Sequence, residues 1–436
     1  MLAYQLRIAF NSLRRNPVLS GLLIAGIALG IAISTSFVTT YYTLSGDPTP
    51  EKSDVLFHVA LDSWNPDSSW DDDRPELPPN QLTYIDARAL MESTIPTYQT
   101  AAFKGRMIVQ PEGEEKPFGE TARLCFRDFF PMFDVPFRYG GPWDAAADRG
   151  PEPVAVIDAE LNRRLFGGED SVGRTIRLTN REFTVVGVLD EWHPTIHFWD
   201  VNNNPFEAPQ AIYLPFNFVE PLELRTAGNT NGWKFYPGNE FADFLQSESL
   251  WLQHWVQLDT PQQQDEYLAF LDAYALEQKQ AGRFQRPLNN RIYTVMEWLE
   301  REQVTPDQSK VMLVIGILFL VVCSVNLIGI LLGKFLARAP EVGVRRALGA
   351  SRTSVFVQHL LECELIGLMG GALGMGLSVL VMGVINRLFE EQFSFHLDLN
   401  MVLAAIGLSL AAGLLAGLYP SWRICRVQPA SYLKIQ

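Results

Sequence analysis

The first run of residues that could do chemistry is GEDSVGRT, at residues 168–175. Its glycine spacing is that of a Walker A loop, which binds nucleotide phosphates through a lysine and through the N-terminal amides of a following helix. Arg174 stands where that lysine belongs, and residues 176–180 (IRLTN) are typical of a strand. The sequence contains no other run of this kind. We therefore predict that this chain does not hydrolyse ATP by that route.

Histidine and aspartate clusters are the next candidates for chemistry. His193 and His197 lie four residues apart, but Pro194 between them disfavours a helix that would present both to a metal. The three acids at residues 71–73 lack the alternating ligands and the glycine of an EF-hand calcium loop. No G-x-S-x-G run suggests a hydrolase. We predict no catalytic residue and no metal site, and we interpret both clusters as solvated loops.

The strongest pattern in the 436-residue chain is four apolar stretches, each long enough to cross a bilayer as a helix. A helical span needs about 20 apolar residues. Between the third and fourth stretches we expect only a short outer loop, at residues 387–399. We predict transmembrane helices at residues 18–45, 309–336, 357–386 and 400–420.

Lysine and arginine mark one side of these predicted helices. Three arginines and no acid precede the first helix, and five basic residues against Glu341 alone separate the second from the third. Such an excess is typical of cytoplasmic segments. A cleaved signal peptide at the N-terminus is the alternative to an anchor, and it would leave the other helices oriented the same way. We predict cytoplasmic segments at residues 1–17, 337–356 and 421–436.

The long segment between the first two helices, residues 46–308, is then an extracytoplasmic domain. Residues 45–310 carry 23 Lys and Arg against 43 Asp and Glu, which leaves 12 basic and 6 acidic residues in the rest. This acidity disfavours nucleic acid as a partner. Cys125 is the one cysteine in this segment, so no internal disulfide is expected.

Local patterns in this domain alternate between helix and strand. Residues 159–166 are predicted to form a helix that ends at Gly167, and residues 175–189 a hairpin. Residues 192–240 are rich in Pro, Asn and Gly and are predicted to be long loops. We predict a mixed α/β domain with a β-rich insertion at about residues 115–250. The predicted fold class is an α-helical membrane protein with four transmembrane helices and this large domain between helices 1 and 2.

Glycines spaced four apart occur in three of the predicted transmembrane helices. Such spacing lets neighbouring helices approach closely. The sequence does not show whether these faces meet within one chain or between two copies. The pairs are Gly26 and Gly30, Gly367 and Gly371, Gly370 and Gly374, and Gly413 and Gly417.

Two acids, Glu362 and Glu364, lie in the predicted third helix. An intramembrane acid is a candidate functional residue, for example in a proton relay. Both lie near the cytoplasmic end, where a contact to the interface or to Arg352 is the simpler interpretation.

The loop between the second and third helices contains the run EVGVRRALGASR, at residues 341–352. Pro340 can begin a helix, Glu341 complements the N-terminal dipole of that helix, and Gly349 can end it. We predict a short helix at the membrane surface. Its valines and leucine would face the bilayer or a groove, and its two arginines would face polar partners. An ordinary basic loop would need the charges but not the glycine spacing.

This run resembles the coupling segment of the MacB/FtsX-type permeases, which belong to the type VII, or mechanotransmission, ABC transporters. Residues 337–340 (ARAP) depart from the charged lead that the family has before this run, which puts the docking of the segment in doubt. The resemblance extends to Gln358, Glu362, residues 370–374, Tyr419, Pro420 and Pro429, and in the outer domain to residues 165–173 and 183–188.

The resemblance implies that this chain carries ATP-driven motion to its outer domain. ATP and Mg²⁺ would bind a separate ABC ATPase, present in two copies, and the permease would pair with a second copy or with a non-identical homologue. Glu341 and Arg345 are expected to bind the ATPase through charge-assisted hydrogen bonds. The resemblance assigns ATPase coupling to Glu341, Val342, Gly343, Val344, Arg345, Arg346, Ala347, Leu348, Gly349 and Ala350.

The resemblance also leaves three functions open. Export of a peptide, antibiotic or amphipathic molecule would involve a periplasmic adaptor and a TolC-like outer-membrane channel. Lipoprotein or lipid extraction, as in LolC/LolE-like relatives, would use the aromatic loops at residues 192–199 and 233–236 to shield acyl chains. The third function is FtsX-like regulation of a cell-wall hydrolase. Each would place the chain in the bacterial inner membrane, with both termini in the cytoplasm.

Overall fold

The computed structural model describes residues 2–111, 113, 116–236, 238–304, 307–388 and 399–426. The chain divides into two compact units, and each is described by itself. Met1–Gly46 and Thr305–Gln436 form the membrane unit. Asp47–Val304 form the outer unit.

The helices and strands are numbered in chain order over both units. The helices are α1 (Leu2–Arg15), α2 (Pro17–Ser45), α3 (Tyr84–Leu90), α4 (Phe129–Met132), α5 (Ala145–Arg149), α6 (Ala159–Phe166), α7 (Phe241–Leu245), α8 (Pro261–Gln280), α9 (Val295–Arg301), α10 (Asp307–Leu336), α11 (Ala339–Ala347), α12 (Arg352–Leu388) and α13 (Leu399–Cys425). The strands are β1 (Leu56–Ala60), β2 (Tyr98–Gln110), β3 (Phe118–Cys125), β4 (Phe137–Gly140), β5 (Val154–Ile157), β6 (Thr175–Leu178), β7 (Arg181–Leu189), β8 (Ile212–Pro215), β9 (Gln253–Gln257) and β10 (Arg291–Thr294).

Four helices in the described part of the chain are long and apolar enough to cross a membrane: α2, α10, α12 and α13. α2 packs against α10 and α12, and α13 packs against the same two helices. Together with the mixed sheet of the outer unit, these helices confirm the predicted fold class. The predicted outer loop at residues 387–399 and the tail from residue 427 onward lie largely outside the described residues.

Two helix ends differ from the predicted bounds by five residues. α12 begins at Arg352, inside the predicted cytoplasmic segment, because Gly349 (φ 102°) turns the chain and the Ser351 hydroxyl accepts a hydrogen bond from the Ser354 amide at 3.1 Å. α13 continues through Pro420 to Cys425 rather than ending at residue 420. A proline within a membrane helix is tolerated because neighbouring groups satisfy the backbone that it frees.

The outer unit is built on one ten-stranded sheet. Alternate residues of β1 lie in different cores: Phe57 and Val59 pack on one side, and Leu56 and Ala60 on the other. Since successive side chains of a strand point to opposite faces, the sheet is covered by apolar residues on both faces. α8 covers the first face, and α4 and α9 cover the second. The strand order is β10-β1-β9-β2-β3-β8-β5-β7-β4, with β6 pairing with β2 and β7.

The β-rich segment predicted at about residues 115–250 does not form a sheet of its own. It contributes six strands, β3 to β8, and β3 pairs along its length with β2, which precedes the segment. The predicted loop region 192–240 contains one of these strands, β8, which pairs in parallel with β3. Pairing with a strand almost 90 residues away supplies β8 with hydrogen-bond partners that local sequence patterns do not reveal.

Two histidines are buried in strands of the outer unit, His58 in β1 and His254 in β9. The His58 ring stacks on Trp298, with 3.5 Å between ring centres. Burial lowers the pKa of His254 to about 3, from 6.5. Burial, together with Arg301 and His254, lowers the pKa of His58 well below its ordinary value. Both imidazoles are therefore neutral in the folded protein at neutral pH.

Replacing His254 with glutamine should make the outer unit less sensitive to acid. Between pH 6.5 and about pH 3 the unfolded chain protonates His254 and the folded chain does not, so its presence lowers stability as the pH falls. Relative to wild type, the free energy of unfolding of the variant should increase by about 1.4 kcal/mol for each pH unit below 6. Hydrogen exchange of the β9 amides in the full chain measures this difference. A difference that stays constant with pH would mean that His254 titrates normally in the folded chain.

Candidate functional site

The run at residues 341–352 forms the helix α11 and the turn that follows it. Pro340 lies in the first turn of α11, where its missing N–H group costs no hydrogen bond. Glu341 is in the same turn, and Arg345 and Arg346 are in the last turn, so the charges complement the helix dipole. Gly349 then adopts φ 102°, a conformation that favours glycine over other residues.

One face of α11 is buried and the opposite face is exposed. Val342 and Gly343 pack within the membrane unit. Val344 is 48% exposed and Leu348 is 82% exposed. Because these two are four residues apart, they lie close together at the helix end. We call Val344 and Leu348 the exposed apolar pair. Of the three apolar residues expected to face the bilayer or a groove, Val342 therefore faces inward, and Val344 and Leu348 are exposed.

The two residues expected to bind the ATPase have partners within the chain. The Arg345 guanidinium donates to Glu341 at 2.9 Å and to the Gln358 side chain at 3.3 Å. Arg15 of α1 lies 3.4 Å from the same Glu341 carboxylate. These ion pairs are largely solvent-exposed, so each contributes only about 0–1 kcal/mol. Their geometry orients α11 rather than leaving Glu341 and Arg345 unpaired on its surface.

Further polar contacts tie α11 and its lead to the other helices of the membrane unit. Arg346 donates to the Cys425 carbonyl oxygen of α13 at 3.1 Å. Arg338, which immediately precedes α11, donates to the Ser12 hydroxyl and to the Ser12 carbonyl oxygen of α1. With the Gln358 contact to α12, the segment is held by three different helices. Displacing α11 would therefore displace those helices with it.

Glu362 of α12 is the centre of a buried charged cluster. It is 1% exposed and lies 2.7 Å from the Lys334 ammonium group of α10. The Ser12 hydroxyl donates to it at 2.5 Å, and Arg338 is 3.7 Å away. The proposed contact to Arg352 is absent from the contacts described for Glu362. Lys334 was not predicted from the sequence as the partner of Glu362. The available signals were a lysine at the end of one apolar stretch and an acid in another helix.

Glu364 has a different environment from Glu362. Both of its carboxylate oxygens are buried, and neither has a hydrogen-bond partner among the described residues. A methyl group added at Gly413 of α13 would lie 3.1 Å from one of them. The small residue at position 413 therefore makes room for this side chain between α12 and α13.

The eight spaced glycines lie at contacts between helices within the membrane unit. Gly26 and Gly30 of α2 face α10, while Gly370 and Gly374 of α12 face Ile27 and Ala28 of α2. Added methyl groups at Gly370 and Gly374 would lie 2.6 Å from those residues, so glycine is needed there. The remaining glycines join α12 and α13: Gly367 and Gly371 face Ser409, Gly413 faces Glu364, and Gly417 faces Cys363.

The Walker-like run in the outer unit forms a turn that leads into a strand. Gly168 and Gly173 both have φ 85°, and β6 begins at Thr175. No helix follows to offer N-terminal amides to a phosphate, as the strand-like sequence predicted. Within the described ranges, no group of three or more His, Cys, Asp or Glu side chains could hold a metal ion.

The aromatic loops considered for acyl chains differ in exposure. Trp199 is buried in the core, and the rings of Trp192 and His197 stack on it, each with 4.9 Å between ring centres. Residues 192–199 are therefore largely a packing element. In the second loop Trp233 donates to the Ser63 carbonyl oxygen, while Phe235 is 91% exposed. The most exposed aromatic side chain of the two loops, Phe235, therefore lies in the second.

Comparison with known families matches both units of the chain. The family model of the MacB-like periplasmic core domain matches residues 20–269, and that of the FtsX-like permease C-terminal region matches residues 313–429. The periplasmic region of MacB from Actinobacillus actinomycetemcomitans covers 57% of this chain and 94% of its own, with 13% identity and a TM-score of 0.34. That score is too low to support a conclusion.

Curated relatives extend the match over the whole chain. The macrolide export ATP-binding/permease protein MacB of Salmonella typhimurium is 24% identical over 434 residues, which cover 98% of this chain and 60% of the relative. MacB 2 of Aeromonas hydrophila is 24% identical over 312 residues, which cover 70% of this chain and 42% of the relative. The chain thus spans about half the length of these relatives. With four membrane helices and a periplasmic-type domain, the chain belongs to the MacB/FtsX-type family of ABC transporter permeases.

Proposed function

We propose that this permease transmits ATP-driven motion from a separate cytoplasmic ATPase to its periplasmic domain. The observation that carries the proposal is the arrangement of α11. One face of this helix is fixed to α1, α12 and α13, and the other presents the exposed apolar pair, Val344 and Leu348. ATP and Mg²⁺ bind the partner, of which two copies serve a pair of permeases.

The connections of α11 suit it to transmit force. It begins at Ala339, three residues after α10 ends, and the turn at Gly349 leads directly into α12. Its polar contacts to α1 and α13 add two further attachments. A push on the exposed apolar pair is therefore passed to packed helices rather than absorbed by a loose loop. The substrate need not pass between these helices.

The proposed cargo is a peptide, an antibiotic or another amphipathic molecule that is exported from the periplasm or the outer leaflet. The relatives are named as macrolide export proteins, which supports this class. A periplasmic adaptor and a TolC-like outer-membrane channel would complete the route. The chain would lie in the bacterial inner membrane with both termini in the cytoplasm, as its basic segments indicate. Lipoprotein extraction has less support, because residues 196–199 of the first aromatic loop are packed in the core.

The purified chain should show no ATPase activity by itself and should stimulate an ABC ATPase that co-purifies with it. The reason is that its one Walker-like run has arginine in place of lysine and leads into a strand. The measurement is phosphate release by the chain, by the ATPase and by their mixture in lipid nanodiscs. An ATPase variant with its Walker lysine replaced is the control. Sustained hydrolysis by the permease with that inactive partner would contradict the proposal.

A further inference from the structure

A cleft of about 300 Å³ opens in the membrane unit where α1, α11 and α12 meet. Its wall carries three guanidinium groups, from Arg15, Arg338 and Arg345, and one carboxylate, from Glu341. The Lys334 and Glu362 pair lies behind the wall and adds no net charge. The wall is therefore positively charged by two units, which favours an anionic ligand.

Glu341 holds the position that such an anion would take. Its carboxylate lies 3.4 Å from Arg15 and 2.9 Å from Arg345, so it bridges two guanidinium groups. The side chains of all three residues are more than 40% exposed, and exposed ion pairs are weak. The phosphodiester of a phospholipid has two charged oxygens, as a carboxylate does, and it can likewise be bound by two arginines at once. It can therefore displace Glu341 from between them.

Apolar surface begins directly beside the arginine that ends α1. Val18 is 86% exposed and Leu22 is 60% exposed, both in the first two turns of α2. They line a shallow groove together with Asn16, Pro17 and Leu19. In a chain that spans a membrane, such a surface contacts acyl chains. A basic cleft next to it has the combination of charge and apolar contact that a phospholipid requires.

We propose that this cleft binds the phosphate group of an anionic phospholipid, with Arg15 and Arg345 as its ligands. Glu341 leaves its bridging position when the phosphate enters. The lipid would join α1, α11 and α12 at the membrane surface. This binding requires no ATPase, so the inference goes beyond the proposed function and its test is separate from it.

The test uses the full chain in detergent, titrated with dioctanoyl phosphatidylglycerol, dioctanoyl phosphatidylcholine or inorganic phosphate. Native mass spectrometry counts the bound molecules, and the thermal unfolding midpoint reports saturation. Arg15→Gln and Arg345→Gln remove the proposed ligands. Arg14→Gln is the matched control, because Arg14 lies on the same helix over the Phe10 ring and outside the cleft. Glu341→Gln removes the competing carboxylate.

Wild type should retain one phosphatidylglycerol more tightly than either other probe. Arg15→Gln and Arg345→Gln should each bind it about tenfold more weakly, as expected for the loss of a charge-assisted hydrogen bond. Arg14→Gln should match wild type, and Glu341→Gln should bind the lipid more tightly, a gain that a misfolded variant would not show. Equal weakening in all three arginine variants would overturn the proposal. Inorganic phosphate that binds as tightly as the lipid would assign the cleft to a soluble anion. If neither phosphatidylglycerol nor inorganic phosphate binds, the charges of the cleft serve a protein partner. Each of these last two outcomes would reject the lipid.

Discussion

Replacing Lys334 with methionine should destabilise the membrane unit by about 3 kcal/mol, near the lower end of what breaking a buried ion pair costs. Lys334 is fully buried and lies 2.7 Å from Glu362, which is 1% exposed. Without the lysine, the carboxylate keeps the Ser12 hydroxyl and the more distant Arg338, which offset part of the loss. The measurement is the midpoint of thermal unfolding of the purified full chain.

A second substitution separates the charge effect from lost packing. In Lys334→Met/Glu362→Gln both members of the buried pair are neutral and Arg338 keeps its hydrogen bonds to Ser12. An uncharged pair of similar volume is often as stable as a buried ion pair. The double variant should therefore recover most of the lost thermal midpoint. If the double variant loses as much thermal midpoint as the two single variants together, the destabilisation by methionine does not come from breaking the ion pair.

Replacing Leu348 with aspartate should weaken binding of the partner ATPase by about 2 kcal/mol or more, close to thirtyfold. Leu348 is 82% exposed in the isolated chain and has Val344 beside it, so a partner that covers this pair buries apolar surface. When the ATPase binds, the aspartate at position 348 would lose its water without gaining an oppositely charged partner. The measurement is the affinity of the ATPase for permease in nanodiscs, together with the ATPase rate in the complex.

The matched comparison is the double variant Glu341→Ala/Arg345→Ala. These side chains bind each other and Arg15, so their loss removes mainly exposed contacts within the chain. We expect a change in ATPase affinity of about threefold or less. The thermal midpoint of Leu348→Asp should equal that of wild type, because the side chain makes few contacts. A stronger effect of the double variant than of Leu348→Asp would place the contact on the charged residues instead.

The elements that local sequence determines were predicted well. Gly167 ends α6 with φ 71°, and the hairpin of β6 and β7 turns at Thr179 and Asn180, which also have positive φ. These signals depend on a few neighbouring residues, so one sequence is enough to detect them. The short helix α11 and the turn at Gly349 belong to the same class.

Contacts between distant parts of the chain were not predictable in the same way. Arg123 of β3 is fully buried and pairs with Asp200, which lies in the region predicted to be loops. Lys334 and Glu362 lie on different helices, and Ser12 reaches the same carboxylate from 350 residues away. The residue types in these clusters are visible in the sequence, but their pairing depends on how the helices and strands pack.

A photo-crosslinking amino acid at position 348 tests the central claim most directly. The full chain, expressed in its native membranes, is irradiated, and crosslinked proteins are identified by mass spectrometry. Position 318 in α10, which is 57% exposed and lies on a membrane helix, is the control. The account predicts that position 348 crosslinks to a protein with an intact Walker A motif and an ABC ATPase sequence, and that position 318 does not. Crosslinking of position 348 only to lipid, with the ATPase present in the same membranes, would contradict the account.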